Sequence, residues 1–242
     1  MNLRAVIAEA LGTFVLVLVG SMSIVSATGI GQGSGGVIIL LVAPFGFGFG
    51  LLAAITLFGR VSGGHFNPAV TLAAVFDGRI DVLNAILYVV AQFVGAVAAS
   101  FAILLILSKD IVDLTRNGPG VGDWQAFGAE VILTAILVGV IMTATRKQSA
   151  LAPLVISLTL VMIHFAAIPI SGAGVNPARA LGPAIVVGNY SKVWIYLTAP
   201  MLGGLLGWGI YKLFSIDEDD ELLLELEADD DLEAEIDDLP AR

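Results

Sequence analysis

Long stretches without a fixed charge limit what this chain can become. No Asp, Glu, Lys or Arg occurs from Ala10 to Gly59, from Val82 to Ser108, or from Val193 to Tyr211. Between Gln148 and Ala178 the only ionisable side chain is His164. A helix that crosses a bilayer needs roughly 20 predominantly apolar residues, and each of these stretches supplies at least one. Composition agrees: 57% of the 242 residues are hydrophobic and 13% charged, against about 45–50% and about 25% in soluble domains. The chain reads as a polytopic, all-α membrane protein.

Several function classes drop out early. With no cysteine there is no disulfide, thiolate metal site or cysteine nucleophile, and two histidines cannot build an all-histidine zinc site. No metal site, cofactor or nucleophile–base pair is expected, so an enzyme is not. The net charge of −10 misleads, because 14 of the 21 acidic residues lie between Asp217 and Asp238. Through Ile216 there are 10 basic and 7 acidic residues, and nothing basic is clustered enough for nucleic acid. Arg4 followed by an apolar run to Ala27 has the look of a secretion signal. Glu9 inside that run argues instead for a first spanning helix.

Six spans are predicted, at about 4–27, 36–58, 82–107, 124–145, 150–169 and 193–214. Two apolar pieces, roughly 67–76 and 177–187, are too short to cross and read as re-entrant half-helices. The halves repeat. Ala8-Glu9-Ala10 opens the first span and Ala129-Glu130-Val131 the fourth, while Asn67-Pro68-Ala69 and Asn176-Pro177-Ala178 open the two short pieces. Three crossings per half place the second repeat (about 124–214) upside down relative to the first (about 1–107). Interrupted segments at matching positions of inverted halves point to a site near the bilayer midplane. Residues 1–216 form the membrane body and 217–242 an acidic tail. The tail's Leu222, Leu226, Leu232, Ile236 and Leu239 form a loose apolar stripe, and its composition reads first as solvated.

Lys and Arg near span ends set the orientation. With the N-terminus inside, the cytoplasmic side holds Arg4, Arg60, Arg79, Arg146, Lys147 and Lys212, against Lys109, Arg116 and Lys192 outside. Both termini are expected in the cytoplasm.

Asn-Pro-Ala occurring twice is the strongest local signal. At average residue usage, two copies arise by chance in on the order of one such chain in a thousand. Asn is a favoured N-cap and Pro is favoured at the first helical position. A capping Asn uses its side-chain oxygen on the helix N–H groups and leaves its NH2 free. Two half-helices meeting tip to tip then present two amide donors and two positive dipole ends at mid-membrane. The preceding stretches, Ser62-Gly63-Gly64-His65-Phe66 and Ser171-Gly172-Ala173-Gly174-Val175, are non-helical at membrane depth, which is tolerated only in protein or along a water-filled cavity. Carbonyls of Gly63, Gly64, His65, Gly172, Ala173 and Gly174 are expected to line such a path. A file of acceptors ending at two donors suits a permeant that both donates and accepts hydrogen bonds.

These residues, together with Ser62 to Thr71 and the Asn176-Pro177-Ala178-Arg179 box, resemble the aquaporin (major intrinsic protein) family over nearly the whole chain up to about Phe214. The resemblance implies a passive channel in a lipid bilayer, with water as permeant, six transmembrane helices plus two re-entrant half-helices in an inverted repeat, and a homotetramer in the cell membrane. It also implies an aromatic/arginine filter, which ungapped counting from the two boxes places on Phe47, His164, Ala173 and Arg179. Glycerol-conducting relatives typically carry Gly where this chain has His164, and Asp where it has Ala180, so water is the favoured substrate. Leu197 after Tyr196, and Ala173 itself, lean the other way, toward a channel that also passes glycerol or another small neutral solute. A second class, an ion-coupled transporter, also uses inverted repeats and broken helices, but the middles of these spans lack the carboxylates that coupling needs.

Other residues have plainer readings. Glu9 and Glu130 are expected to brace each half's loop by accepting backbone N–H bonds rather than to relay protons. His65 reads as a further loop brace. The small-residue sets Gly46/Gly50, Ala91/Gly95/Ala99 and Gly203/Gly207 are expected to pack spans within one subunit. Phe45, Phe49, Trp124, Trp194 and Trp208 are expected to face lipid or the interface.

Overall fold

A computed structural model describes residues 2–30, 35–146 and 149–215. Lys147 and the acidic tail with its apolar stripe lie outside the described residues. Among those described there are nine helices and no strand. Six are long and apolar enough to cross a membrane: α1 (Leu3–Ile30), α2 (Gly35–Ser62), α4 (Val82–Ile106), α6 (Asp123–Ala144), α7 (Ala152–Ser171) and α9 (Val193–Phe214). Two short helices, α3 (Pro68–Phe76) and α8 (Pro177–Val187), follow the two Asn-Pro boxes, and α5 (Lys109–Leu114) lies between the halves.

Local chemistry sets the boundaries. Asn67 and Asn176 are extended N-cap residues whose Oδ1 accepts from Ala69 N and Ala178 N, each at 2.9 Å, with proline at the next position. α7 runs past Pro169 to Ser171, two residues beyond the expected end, and stops where Gly172 adopts φ 77°. α2 likewise continues through Arg60 to Ser62 and ends where Gly63 takes φ 91°. The sequence reading missed α5, a single capped turn begun by Ser108 Oγ, which accepts from Ile111 N. Outside the spans, Asp81 caps α4, and its carboxyl is held below the usual carboxylate range by the backbone and side-chain N–H groups of Asn84.

The two halves pack alike. α1 lies against α2 and α4, as α6 lies against α7 and α9, and each half-helix crosses to the other repeat: α3 packs on α9 and α8 on α4. Close approach is made possible by glycine. A Cβ on Gly204 would stand 2.7 Å from the carbonyl oxygen of Ala69, and one on Gly182 would stand 2.6 Å from that of Ala96. The small pairs named above meet neighbours within the chain: Gly95 faces the Ala10 carbonyl, and Gly203 and Gly207 face those of Val131 and Ala135.

Trp208 corrects the interface reading. It is half-buried, tilts against the Phe76 ring at 5.4 Å, and its Nε1 donates to Asp77 Oδ1 at 3.1 Å. Arg79 Nε also reaches Asp77, at 2.7 Å, and its terminal nitrogens donate to Thr145 Oγ1 and the Met142 carbonyl. The C-terminal end of α3 is thereby tied to α6 and α9. Trp124, Trp194, Phe45 and Phe49 are exposed.

Candidate pore and its filter

The loops before the boxes repeat in conformation as well as in sequence. Positive φ occurs at Gly63, Gly64 and Phe66, and again 109 residues later at Gly172, Ala173 and Val175. A left-handed backbone is cheap for glycine and costly for a bulky or β-branched residue. Phe66 at 49°, Ala173 at 52° and Val175 at 44° therefore hold strain of about 1–3 kcal/mol each.

Two buried carboxylates hold that geometry. Glu9 Oε1 accepts from Ser62 Oγ at 2.6 Å and His65 N at 3.0 Å, and Oε2 accepts from Phe66 N at 2.7 Å and Gln92 Nε2 at 2.8 Å. Glu130 Oε1 accepts from Ser171 Oγ at 2.6 Å and Gly174 N at 2.7 Å, and Oε2 accepts from Val175 N at 2.6 Å. Both side chains are fully buried, so each set of donors offsets a desolvation that would otherwise be costly. Tyr88 and Tyr196 complete the pairing, donating to the Ser62 and Ser171 carbonyls at 2.9 and 2.6 Å. His65 Nδ1 lies 3.1 Å from Thr71 Oγ1; that hydroxyl donates to the Asn67 carbonyl, so the histidine must donate to it.

The half-helices meet through their asparagines. Asn67 Nδ2 donates to the Val175 carbonyl at 2.8 Å, and Asn176 Nδ2 donates to the Phe66 carbonyl at 2.9 Å. This corrects the expectation of two wholly free NH2 groups. The tips bring buried carbonyls within reach, and each amide satisfies one with one of its two hydrogens. The second hydrogen of each remains, and both asparagines line a cavity of about 1130 Å³.

Gly63, Gly64, His65 and Gly174 line that cavity too, as do Phe47, His164 and Arg179. The last three converge. The Phe47 and His164 rings stack with centroids 4.4 Å apart, and the Arg179 guanidinium lies 4.8 Å from the Phe47 centroid. His164 Nδ1 lies 2.9 Å from the Leu160 carbonyl, which can only accept, so the proton sits on Nδ1. Its Nε2 and the Nε of Arg179 are buried without a hydrogen-bond partner among the described residues.

Gly172 and Ala173 are not on the lining. Ala173 is fully buried, and the Gly172 carbonyl accepts from Asn117 Nδ2 at 2.7 Å instead of facing a path. The reason is the connection between the repeats, which folds back over residue 172: Gly120 N also donates to the Ile170 carbonyl at 2.9 Å.

Sequence reasoning missed Asn117, Gln92 and the two tyrosine braces. Only the tyrosines carried a signal, since Tyr88 and Tyr196 stand 108 residues apart, close to the offset of the boxes.

A profile of the Major intrinsic protein family matches residues 1–211. Aquaporin Z of Rhodopseudomonas palustris is 38% identical, over 89% of this chain and 95% of its own. Glycerol uptake facilitator protein-like 6 of Lactiplantibacillus plantarum is 36% identical, over 84% and 94%. The fold is also that of the aquaglyceroporin from Plasmodium falciparum, with a TM-score of 0.77 over 87% of this chain and 96% of that one, at 24% identity. With six membrane-length helices, paired half-helices and a family match that runs into the last span, this chain belongs to the major intrinsic protein family.

Proposed function

We propose that the chain is a passive channel that conducts water in single file and excludes protons and ions. Members of its family are membrane-embedded channels for small solutes such as water. The observation that carries the finer reading is the cluster of Phe47, His164 and Arg179, where two stacked rings and a guanidinium from α2, α7 and α8 share one cross-section. Such a constriction supports a water-sized permeant over a polyol. Nε2 of His164 and Nε of Arg179 offer it one acceptor and one donor.

Proton exclusion follows from the paired asparagines. A water held between the remaining N–H groups of Asn67 and Asn176 accepts from both, so its own hydrogens point outward along the file. It cannot also accept from its neighbours, and a proton relay stops there. The positive ends of α3 and α8, together with Arg179, oppose cations.

We further propose that residues 1–216 are the conducting unit, that both termini face the cytoplasm, and that four copies assemble. A second reading, a channel that also passes glycerol, is favoured by the glycerol uptake facilitator-like relative and by Leu197; Ala173, buried away from the cavity, does not bear on it. His164 at the constriction weighs against it.

The deciding experiment is light-scattering stopped flow on proteoliposomes under sucrose and glycerol gradients. Fast shrinkage in both with slow re-swelling in glycerol is expected. Quick re-swelling would replace the water-selective reading with the glycerol one, and shrinkage no faster than empty liposomes would overturn both.

A further inference from the structure

Arg179 is the one charged side chain at the constriction, yet it has no ionic partner. Among the described residues no carboxylate stands within ion-pair distance of it. It is held by neutral oxygens alone: one terminal nitrogen donates to Asn117 Oδ1 and, at 3.2 Å, to the Thr115 carbonyl. Asn117 is itself buried and donates through Nδ2 to the Gly172 carbonyl at 2.7 Å. One amide thus ties the filter arginine to the loop that precedes the second box. Both ends of the amide are specified, because a guanidinium only donates and a carbonyl only accepts.

The pseudo-symmetry sharpens the point. The first repeat has Val70 where the second has Arg179, and the residues that hold Arg179 come from the connection between the repeats. Asn117 therefore belongs to neither Asn-Pro box and has no counterpart in the other half.

We propose that Asn117 is the positioning residue of the filter. It fixes the Arg179 guanidinium beside the Phe47 and His164 rings without cancelling its charge, so the aperture and the positive field are set by the same neutral contact. This rests on the water-selective reading above. A hydrogen bond to a charged group in a low-dielectric site is strong enough to hold a side chain with many rotamers. A carboxylate at the same place would hold it as well but neutralise it.

The test compares wild type, Asn117→Ala and Asn117→Asp as full-length protein in proteoliposomes. Water flux, glycerol re-swelling and proton leak are read from the same preparations, with a pH-sensitive dye for the last. Asn117→Ala is expected to raise the ratio of glycerol to water permeability on the order of tenfold, the scale of one hydrogen bond to a charged group. Asn117→Asp keeps the acceptor for Arg179 and is expected to restore glycerol exclusion while raising proton leak. Loss of loop packing alone predicts something else: both variants lose the bond to Gly172, so both would admit glycerol equally, and that result overturns the proposal. An alanine variant no leakier than wild type also overturns it. So does a crystal structure of Asn117→Ala with the guanidinium unmoved, whatever the wild type conducts. A wild-type channel that itself passes glycerol would instead count against the water-selective reading.

Discussion

At the scale of single residues, the channel interior is a set of strained backbones held by buried acceptors. Val175 shows the balance. A β-branched residue at φ 44° would relax without restraint, and its N–H is fixed by Glu130 Oε2 at 2.6 Å. Replacing Glu130 with Gln puts an NH2 where a carboxylate oxygen stood. With three donors converging, at least one loses its acceptor, at about 1–3 kcal/mol, and the strain at Val175 loses its restraint. Glu130→Gln is expected to lower the thermal midpoint in detergent and to reduce water flux severalfold. A proton-relay role predicts the reverse, a stable protein with unchanged water flux and altered proton movement, so the two measurements separate the readings.

At the scale of elements, the half-helices are placed by contact with the opposite repeat, and glycine sets how near they come. A methyl group on Gly204 would stand 2.7 Å from the Ala69 carbonyl oxygen, which is backbone inside the first Asn-Pro-Ala box. Gly204→Ala is expected to cost about 1–3 kcal/mol through overpacking and to slow water passage by shifting that box. Gly209→Ala, on the same helix with nothing within 4 Å of the added carbon, is the control, expected to be neutral or to stabilise by up to about 1 kcal/mol through helix propensity. Equal effects from the two would remove the argument from close approach. The spans and half-helices were legible in the sequence because each has a local cause: uncharged runs of bilayer length, and an Asn-Pro cap in front of a piece too short to cross. What escaped has its causes at long range. Asn117 lies on a connection outside the repeat, and the periodicity that exposed the boxes is silent there. Tyr88 and Tyr196 reach carbonyls 26 and 25 residues away, a relation that no helical spacing encodes. Trp208 reads as interfacial bulk until the fold brings Asp77 to its indole nitrogen.

At the scale of the whole molecule, charge divides the chain into two unlike parts. The body through Ile216 carries 10 basic and 7 acidic residues, while the remainder holds 14 carboxylates and one arginine. All the groups to which conduction is assigned lie well inside the first part. The cavity lining runs from Leu16 to Arg179, and the family match ends at residue 211. Among the described residues, the filter, both boxes and the loops before them are bonded only to residues up to Tyr196. On the proposal that residues 1–216 are the conducting unit, the last 26 residues add nothing to the permeation path. Removing residues 217–242 is therefore expected to leave water permeability per channel within about twofold, a change of less than about 0.5 kcal/mol in the barrier, and to leave the assembly size unchanged on a sizing column. The truncation raises the formal net charge of the chain from −10 to +3, the balance of the 10 basic and 7 acidic residues that stay, which shifts its isoelectric point well above the present value of about 4.4. A truncated channel that conducts several times faster than the full chain would instead identify the acidic segment as a brake on the mouth. A smaller particle would make it part of the assembly. In either case the tail would have to act through the basic residues at the ends of the spans, where Arg60 already borders the cavity. Raising the ionic strength on the full-length channel would then reproduce the effect of the deletion, because charge pairing at an exposed mouth is screened by salt.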